Sequence, residues 1–177
     1  AAFKLAAIYV REPKGTDYTE QDAANIYQTL SEDHDSAAAR RAWANVLIFG
    51  KTLKHDLVKA RQLLQQDADK NDPRSMALLG NALLYGRFGV EDEKNGMRWL
   101  EKADAAGDAE AGNTIALYLY ARKGDEASLK RAKSLWIKAS LKKYMPAINN
   151  FSWALCTSSY PGFLDAKTGV ALFKMAN

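Results

Sequence analysis

Small and large apolar side chains recur along this chain at a fixed interval of 36 residues. Ala24, Ala60, Gly96 and Ala132 form a column of small side chains; Tyr27, Leu63, Trp99 and Leu135, each three residues on, form a large apolar one. Leu47, Leu83, Leu119 and Leu155 form a third column, and Ala44, Gly80, Ala116 and Ser152 a fourth that is small again. Near the end the offset slips to 37, giving Gly169, Leu172 and Ala176, while Leu5 and Tyr9 match Trp43 and Leu47 with two extra residues between. A period of this length holding two helical segments predicts a helical hairpin stacked on copies of itself, because one hairpin cannot cover its own apolar face. The expected fold is all-α, a right-handed α/α superhelix (solenoid) of about five hairpins in a single domain, with hairpins near 1–35, 36–72, 73–108, 109–144 and 145–177. First helices are expected near 1–11, 37–49, 74–85, 109–122 and 146–156, and second helices near 19–31, 57–70, 93–106, 127–142 and 165–176.

Turn and cap residues agree with that division. Pro13 and Pro161 fall in loops, and Pro73 and Pro146 fall at helix beginnings, where a missing N–H costs nothing. Gly50, Gly86 and Gly124 follow first helices, where a left-handed cap favours glycine. Asp56, Asp92 and Asp165 precede second helices, where a carboxylate takes up free amides. Gly96 lies inside a predicted helix, at a cost of roughly 1 kcal/mol in propensity. Its column explains it: small side chains there let two helices approach closely. Leucine at 96 is expected to destabilise the chain and alanine to be tolerated. Both ends read as ordinary repeats and not as polar caps, so the chain is expected to belong to a longer array or to meet partners at its ends.

Composition narrows the class. The chain is 47% apolar and 26% charged, which suits a globular protein and not a disordered one. Charge is uneven: residues 1–35 carry three basic and seven acidic side chains, and residues 122–143 carry eight basic and two acidic ones. The basic stretch is either a solvated helix face or a patch for an acidic partner or nucleic acid. A lone cysteine, Cys156, rules out an internal disulfide, which fits the cytosol or a bridge-free envelope protein. No apolar run approaches the ~20 residues of a membrane span. The start, AAFKLAAIYV, has Lys4 inside its apolar run and is not a signal peptide; a removed leader or an excised segment is expected upstream.

Motifs that carry chemistry are sparse. Gly50-Lys51-Thr52 has the letters that end a phosphate-binding loop, but Asn45 stands where that loop needs glycine and a helix, not a strand, precedes it. His34 and His55 lie apart from any further His or Cys cluster and read as exposed loop histidines. Glu91, Asp92 and Glu93 suit a helix N-terminus better than a catalytic pair. Cys156 sits on an apolar helix and reads as a core thiol. No catalytic residue, metal site or cofactor is expected.

The stretch from Ser75 to Ala111 resembles a unit of the Sel-one-like repeat family, a branch of the tetratricopeptide-like superfamily. The matching residues are Ser75, Leu79-Gly80, Leu83, Gly86, Gly89-Val90, Asp92, Gly96, Trp99, Lys102-Ala103 and Gly107, with one loop residue gained before Gly89 and one lost after Val90. Other units match by spacing, keeping Lys59-Ala60, Arg131-Ala132 and Lys138-Ala139. The resemblance implies a bacterial, non-enzymatic protein-interaction scaffold, periplasmic or secreted; members of the family act as envelope adaptors or guard against secreted toxins. It also implies that first helices line a concave face. The strip placed there comprises Arg41, Asn45, Ile48, Asn81, Leu84, Asn113, Leu117, Tyr120, Asn149 and Trp153, whose asparagines could bond an extended peptide backbone. Alternatively, these side chains pack between adjacent first helices. The expected partner is another protein or extended peptide. The alternative, nucleic acid held by Lys130, Arg131, Lys133, Lys138, Lys142 and Lys143, is disfavoured because these residues spread around a helix with few aromatics between them.

Overall fold

The computed structural model describes residues 3, 6, 19–122, 125–160 and 163–176, with only the backbone of 175 and 176. The expected helix near 1–11, apart from residues 3 and 6, lies outside the described residues, as do Pro13, Gly124 and Pro161. Among the described residues, nine helices run in order: α1 (Glu20–Asp33), α2 (Ala37–Phe49), α3 (Leu57–Asp69), α4 (Pro73–Leu84), α5 (Glu93–Ala105), α6 (Ala109–Ala121), α7 (Glu126–Leu141), α8 (Met145–Thr157) and α9 (Ala166–Ala176). Each lies within two residues of its expected bounds, and no described residue is in a strand. The chain is all-α.

Contacts divide the chain into two compact units, residues 1–96 and 97–177. In unit 1, α1 packs on α2, α2 on α3 and α3 on α4, and the first helices α2 and α4 touch each other. In unit 2, α6 packs on α7, α7 on α8 and α8 on α9, and the first helices α6 and α8 touch in the same way.

Carboxylates start most of these helices. Asp56, Asp72, Asp92, Asp108, Asp125 and Asp165 each accept a bond from the amide three residues on, twice the number expected from the second helices alone. Pro73 and Pro146 stand in first turns as expected.

A second column is visible only in the backbone. Asp35, Asn71, Gly107 and Lys143, one repeat apart, have φ of 45°, 63°, 96° and 58°. At the last three, the turn residue's N–H reaches back to Ala68, Asp104 or Ser140, and the next N–H reaches Asp67, Ala103 or Ala139. This double bond pattern ends a helix by satisfying its free carbonyls while reversing the chain. Glycine adopts it without strain and Asn or Asp at small cost, but lysine meets the full Cβ penalty. Gly50, by contrast, has φ −55° and is no left-handed cap. Its N–H closes the last turn on Val46, and the chain leaves in extended form towards Lys51 and Thr52.

The small columns are contact points. Ala24, Ala44, Ala60, Ala116 and Ala132 are at most 3% exposed. A Cβ placed on Gly96 would lie 2.7 Å from the Leu84 backbone N and 2.9 Å from the Gly80 carbonyl O. On Gly169 it would lie 2.6 Å from Cys156 Sγ and 2.9 Å from the Ser152 carbonyl O. The expected tolerance of alanine at 96 is therefore corrected: backbone, and not a yielding side chain, fills the space. The deepest apolar column is Leu64, Leu100 and Trp136, each at most 1% exposed, one residue beyond the column read from sequence. In unit 2, Trp136 stacks on Phe151 at 5.9 Å and its Nε1–H donates to Asn113 Oδ1 at 3.0 Å.

Unit 1 also buries an ion pair that the apolar pattern did not announce. Arg40 on α2 grips Asp67 on α3 with two bonds, Nε to Oδ2 at 2.8 Å and Nη2 to Oδ1 at 2.7 Å, with both side chains at most 4% exposed. Its remaining donors reach Asp35 and the Ser31 carbonyl. The Asp67 carboxylate, foremost, raises the Arg40 pKa further above its ordinary range.

Two stability changes follow. Gly96→Ala is expected to destabilise by about 1–3 kcal/mol and Gly96→Leu by more, read as a lower urea midpoint; an alanine variant as stable as the parent would show that the two backbones do not meet. Lys143→Gly is expected to raise stability by roughly 1 kcal/mol, since only the left-handed penalty is removed; an unchanged or lower midpoint would count against strain at that turn.

Candidate functional site

The ten strip residues divide by exposure. In unit 1, Ile48 and Leu84 are 7% and 2% exposed and belong to the core. The cause is the direct packing of α2 on α4, which turns this part of each first helix towards its neighbour. Arg41 is half-buried and held by an ion pair from Nη1 to Asp72 Oδ2 at 2.7 Å, and Asp72 also caps α4. Burial acts to raise the Asp72 pKa, but the Ser75 hydrogen bonds and the Arg41 charge outweigh it and hold the group below the usual carboxylate range. Asn45 lines a shallow hollow with Tyr27, Val46 and Phe49, and Asn81 is half-buried.

In unit 2, Asn113 is 6% exposed, and its Oδ1 accepts from both Trp136 and Asn150, each at 3.0 Å. It is a core polar group committed to internal partners. Leu117 and Tyr120 are half-buried against the same core, whereas Asn149 and Trp153 are exposed, Trp153 at 62%. Asn149 and Trp153 lie one turn apart on α8 and share a face. Trp153 meets Tyr120 nearly edge-on, with ring centroids 6.4 Å apart. Tyr120 in turn contacts Tyr160 at 6.2 Å and Phe163 at 5.2 Å. An aromatic surface thus forms from α6, α8 and the loop after α8. Tyr160 lies outside the first helices, in a loop without the helical periodicity that would mark it in the sequence.

The remaining motifs find structural roles. The amides of Lys51 and Thr52 donate to the Glu20 carboxylate at 3.1 and 2.7 Å, and the Thr52 hydroxyl adds a bond at 2.8 Å. The loop that mimics a phosphate site in its letters therefore cradles the chain's own anion. These bonds, the Thr52 amide foremost, hold the Glu20 pKa below its ordinary value against the opposing effect of burial. His55 Nε2 lies 2.8 Å from the Gly50 carbonyl. His34 is exposed and Cys156 is half-buried. Among the described residues, no group of His, Cys, Asp or Glu could hold a metal, and no helix is long and apolar enough to cross a membrane. Of the six basic residues proposed for nucleic acid, five have partners within unit 2: Lys130 with Glu126, Arg131 with Glu101, Lys133 over the Phe163 ring, Lys138 with Asp104, and Lys142 with the Gly107 carbonyl.

No family model and no curated protein matches the chain. Solved structures do. A protective antigen of uropathogenic Escherichia coli displaying an SLR fold superposes with a TM-score of 0.75 at 21% identity, over 99% of this chain and 37% of its own. The chain has the Sel1-like repeat fold. A Sel1 repeat protein from Oxalobacter formigenes superposes with a TM-score of 0.73 at 19% identity, over 99% of this chain and 70% of its own. An immunity protein from Pseudomonas aeruginosa gives 0.73 at 17% identity, over 99% of this chain and 63% of its own. The chain thus spans little more than a third of the antigen and just under two thirds of the immunity protein.

Glu20 makes one feature of the Sel1-like fold pH-dependent. A carboxylate whose pKa is lower in the folded state stabilises it above the unfolded pKa, and that contribution is lost as pH falls through the folded one. The parent is expected to lose stability on acidification below the ordinary glutamate range more steeply than Glu20→Gln, as followed by urea midpoints across pH. Parallel curves for the two proteins would remove Glu20 from the account.

Proposed function

We propose that this chain is a non-enzymatic helical-repeat scaffold that binds another protein, and that the surface it uses is the first-helix side of unit 2 around Trp153. The observation that carries the reading is a tryptophan 62% exposed, braced by Tyr120 and with Asn149 one turn before it. A large rigid ring beside an amide that can both donate and accept is the composition of an interface anchor. The surface of Trp153, Tyr120, Tyr160 and Asn149 holds two phenols but no carboxylate, imidazole or thiol to activate them, which supports binding over turnover. Arg41, Asn45 and Asn81 offer a more polar first-helix surface in unit 1, suited to an extended segment. An immunity protein among the structural neighbours supports the finer reading, in which the partner is a secreted toxin neutralised in the bacterial envelope or outside the cell. The internal contacts of five of the six basic residues leave the nucleic-acid alternative less support.

Capture of envelope and secreted proteins on the immobilised chain tests this reading. Trp153→Asp is expected to weaken a captured partner by about 30-fold or more, the scale of an interface hot spot, while Val90→Asp, in an exposed loop of unit 1, leaves it unchanged. A partner held equally well by the parent and Trp153→Asp would defeat the assignment of this surface.

A further inference from the structure

The exposed residues around Trp153 have counterparts one repeat earlier, and those counterparts are covered. Asn149 and Trp153 on α8 stand at the stations of Asn113 and Leu117 on α6. Asn113 is buried and Leu117 half-buried, whereas Asn149 and Trp153 are both exposed. On the second helices, Phe173 lies four residues after Gly169, as Trp136 lies four after Ala132. Trp136 is 1% exposed and Phe173 54%.

What covers the earlier stations is α8, which touches both α6 and α7. Its Ala147, Asn150, Phe151 and Ala154 share one side, at i, i+3, i+4 and i+7. Phe151 stacks on Trp136, and Ala147 and Ala154 are fully buried in the same apolar cluster. The Asn150 amide donates to Asn113 Oδ1 at 3.0 Å. The small residues allow close approach, the ring fills the seam, and the amide bond fixes the register, because a buried carbonyl left without its donor costs more than the bond returns.

One repeat on, α8 and α9 present the same kind of seat: Asn149 stands where Asn113 accepts, and Phe173 where Trp136 receives a ring. Phe173 has no N–H to match the indole that donates to Asn113, so a protein donor to Asn149 has to come from an occupant. The indole at 153 in place of the leucine at 117 points to a separate chain, since tryptophan is enriched among interface anchors and leucine is not. A second copy is a poor source of the occupant. Its described first helices already bury the residue at the Phe151 station, which is Trp43, Leu79, Ile115 or Phe151 itself. We propose that the partner supplies an α-helix that continues the stack, docking on α8 and α9 as α8 docks on α6 and α7. That helix carries small residues at i and i+7, an amide side chain at i+3 and a large apolar residue at i+4. The inference rests on the reading that the surface around Trp153 binds a protein, and it names the form in which that protein is met.

The test uses the whole chain and a fluorescein-labelled helical peptide with alanine at i and i+7, asparagine at i+3 and phenylalanine at i+4, the other positions carrying Glu–Lys pairs four apart. The peptide is expected to bind. Phe173→Asp is expected to lower its affinity by at least about tenfold with an unchanged melting curve, while Val58→Asp in unit 1 leaves it unaltered. Asn149→Ala is expected to weaken the asparagine peptide by about three- to tenfold and to leave a peptide with alanine at i+3 unaffected, a difference that misfolding would not produce. The proposal is overturned if the peptide does not bind, if a peptide with the same residues scrambled binds equally, or if Asn149→Ala weakens both peptides alike. A dimer of the free protein that Phe173→Asp disperses would also overturn it. The two readings part at a captured partner: loss with Trp153→Asp but full retention with Phe173→Asp keeps the surface and overturns the docked helix, and retention with both removes the surface as well.

Discussion

The structure depends on how closely two backbones can approach. A second helix meets the first helix of its own hairpin at a station where neither side chain exceeds a methyl or hydroxymethyl group. Where the residue is Gly96 or Gly169, even a methyl would collide with a carbonyl of the facing helix. Closeness at that station brings the flanking large residues, such as Leu64 and Leu83 in unit 1 or Trp136 and Leu155 in unit 2, into the fully buried layer. Burial of this kind supplies the dispersion and solvent release that a lone hairpin lacks. The small columns are thus the cause of the large ones, and the sequence shows both because the constraint repeats with every hairpin.

Much of the fold was legible for that reason. Helix bounds could be read to within two residues because the period recurs and prolines or capping aspartates mark many of the boundaries. Other features were not legible, each for a physical cause. Asp35, Asn71, Gly107 and Lys143 share a backbone conformation but no side-chain chemistry, so no pattern of letters reveals them. Glu20 and the amides it binds are some thirty residues apart, and the glycine before them pointed to a different cap. Gly96 was recognised as a contact, yet whether an added methyl would meet a side chain or a carbonyl depends on distances the sequence does not contain.

The surface was legible in part. The strip was drawn along one face of each first helix, but adjacent first helices touch, so Ile48, Leu84 and Asn113 were drawn inward. Asn113 is informative: an amide that reads as a ligand for a peptide backbone holds a buried indole and a second amide instead. Trp153 and Asn149 remain outward because they lie on the far side of α8 from its packed face. Trp153 and Asn149 therefore occupy the opposite side of one helix from the buried Phe151 and Leu155.

The buried pair of Arg40 and Asp67 has a consequence for how such a chain finds its register. Hairpins that are near copies of one another invite slippage, since a helix displaced by one repeat would still meet small side chains opposite small and large opposite large. Among these stations the carboxylate occurs once: the counterparts of Asp67 are Ser31, Ala103 and Ala139. A slipped chain would leave the Arg40 guanidinium facing an apolar seam, with the exposed Asp35 beside it but without the buried two-bond partner Asp67, a penalty of several kcal/mol. One charged contact, costly to desolvate and of little net benefit when correctly made, would distinguish the native alignment from its translated imitations.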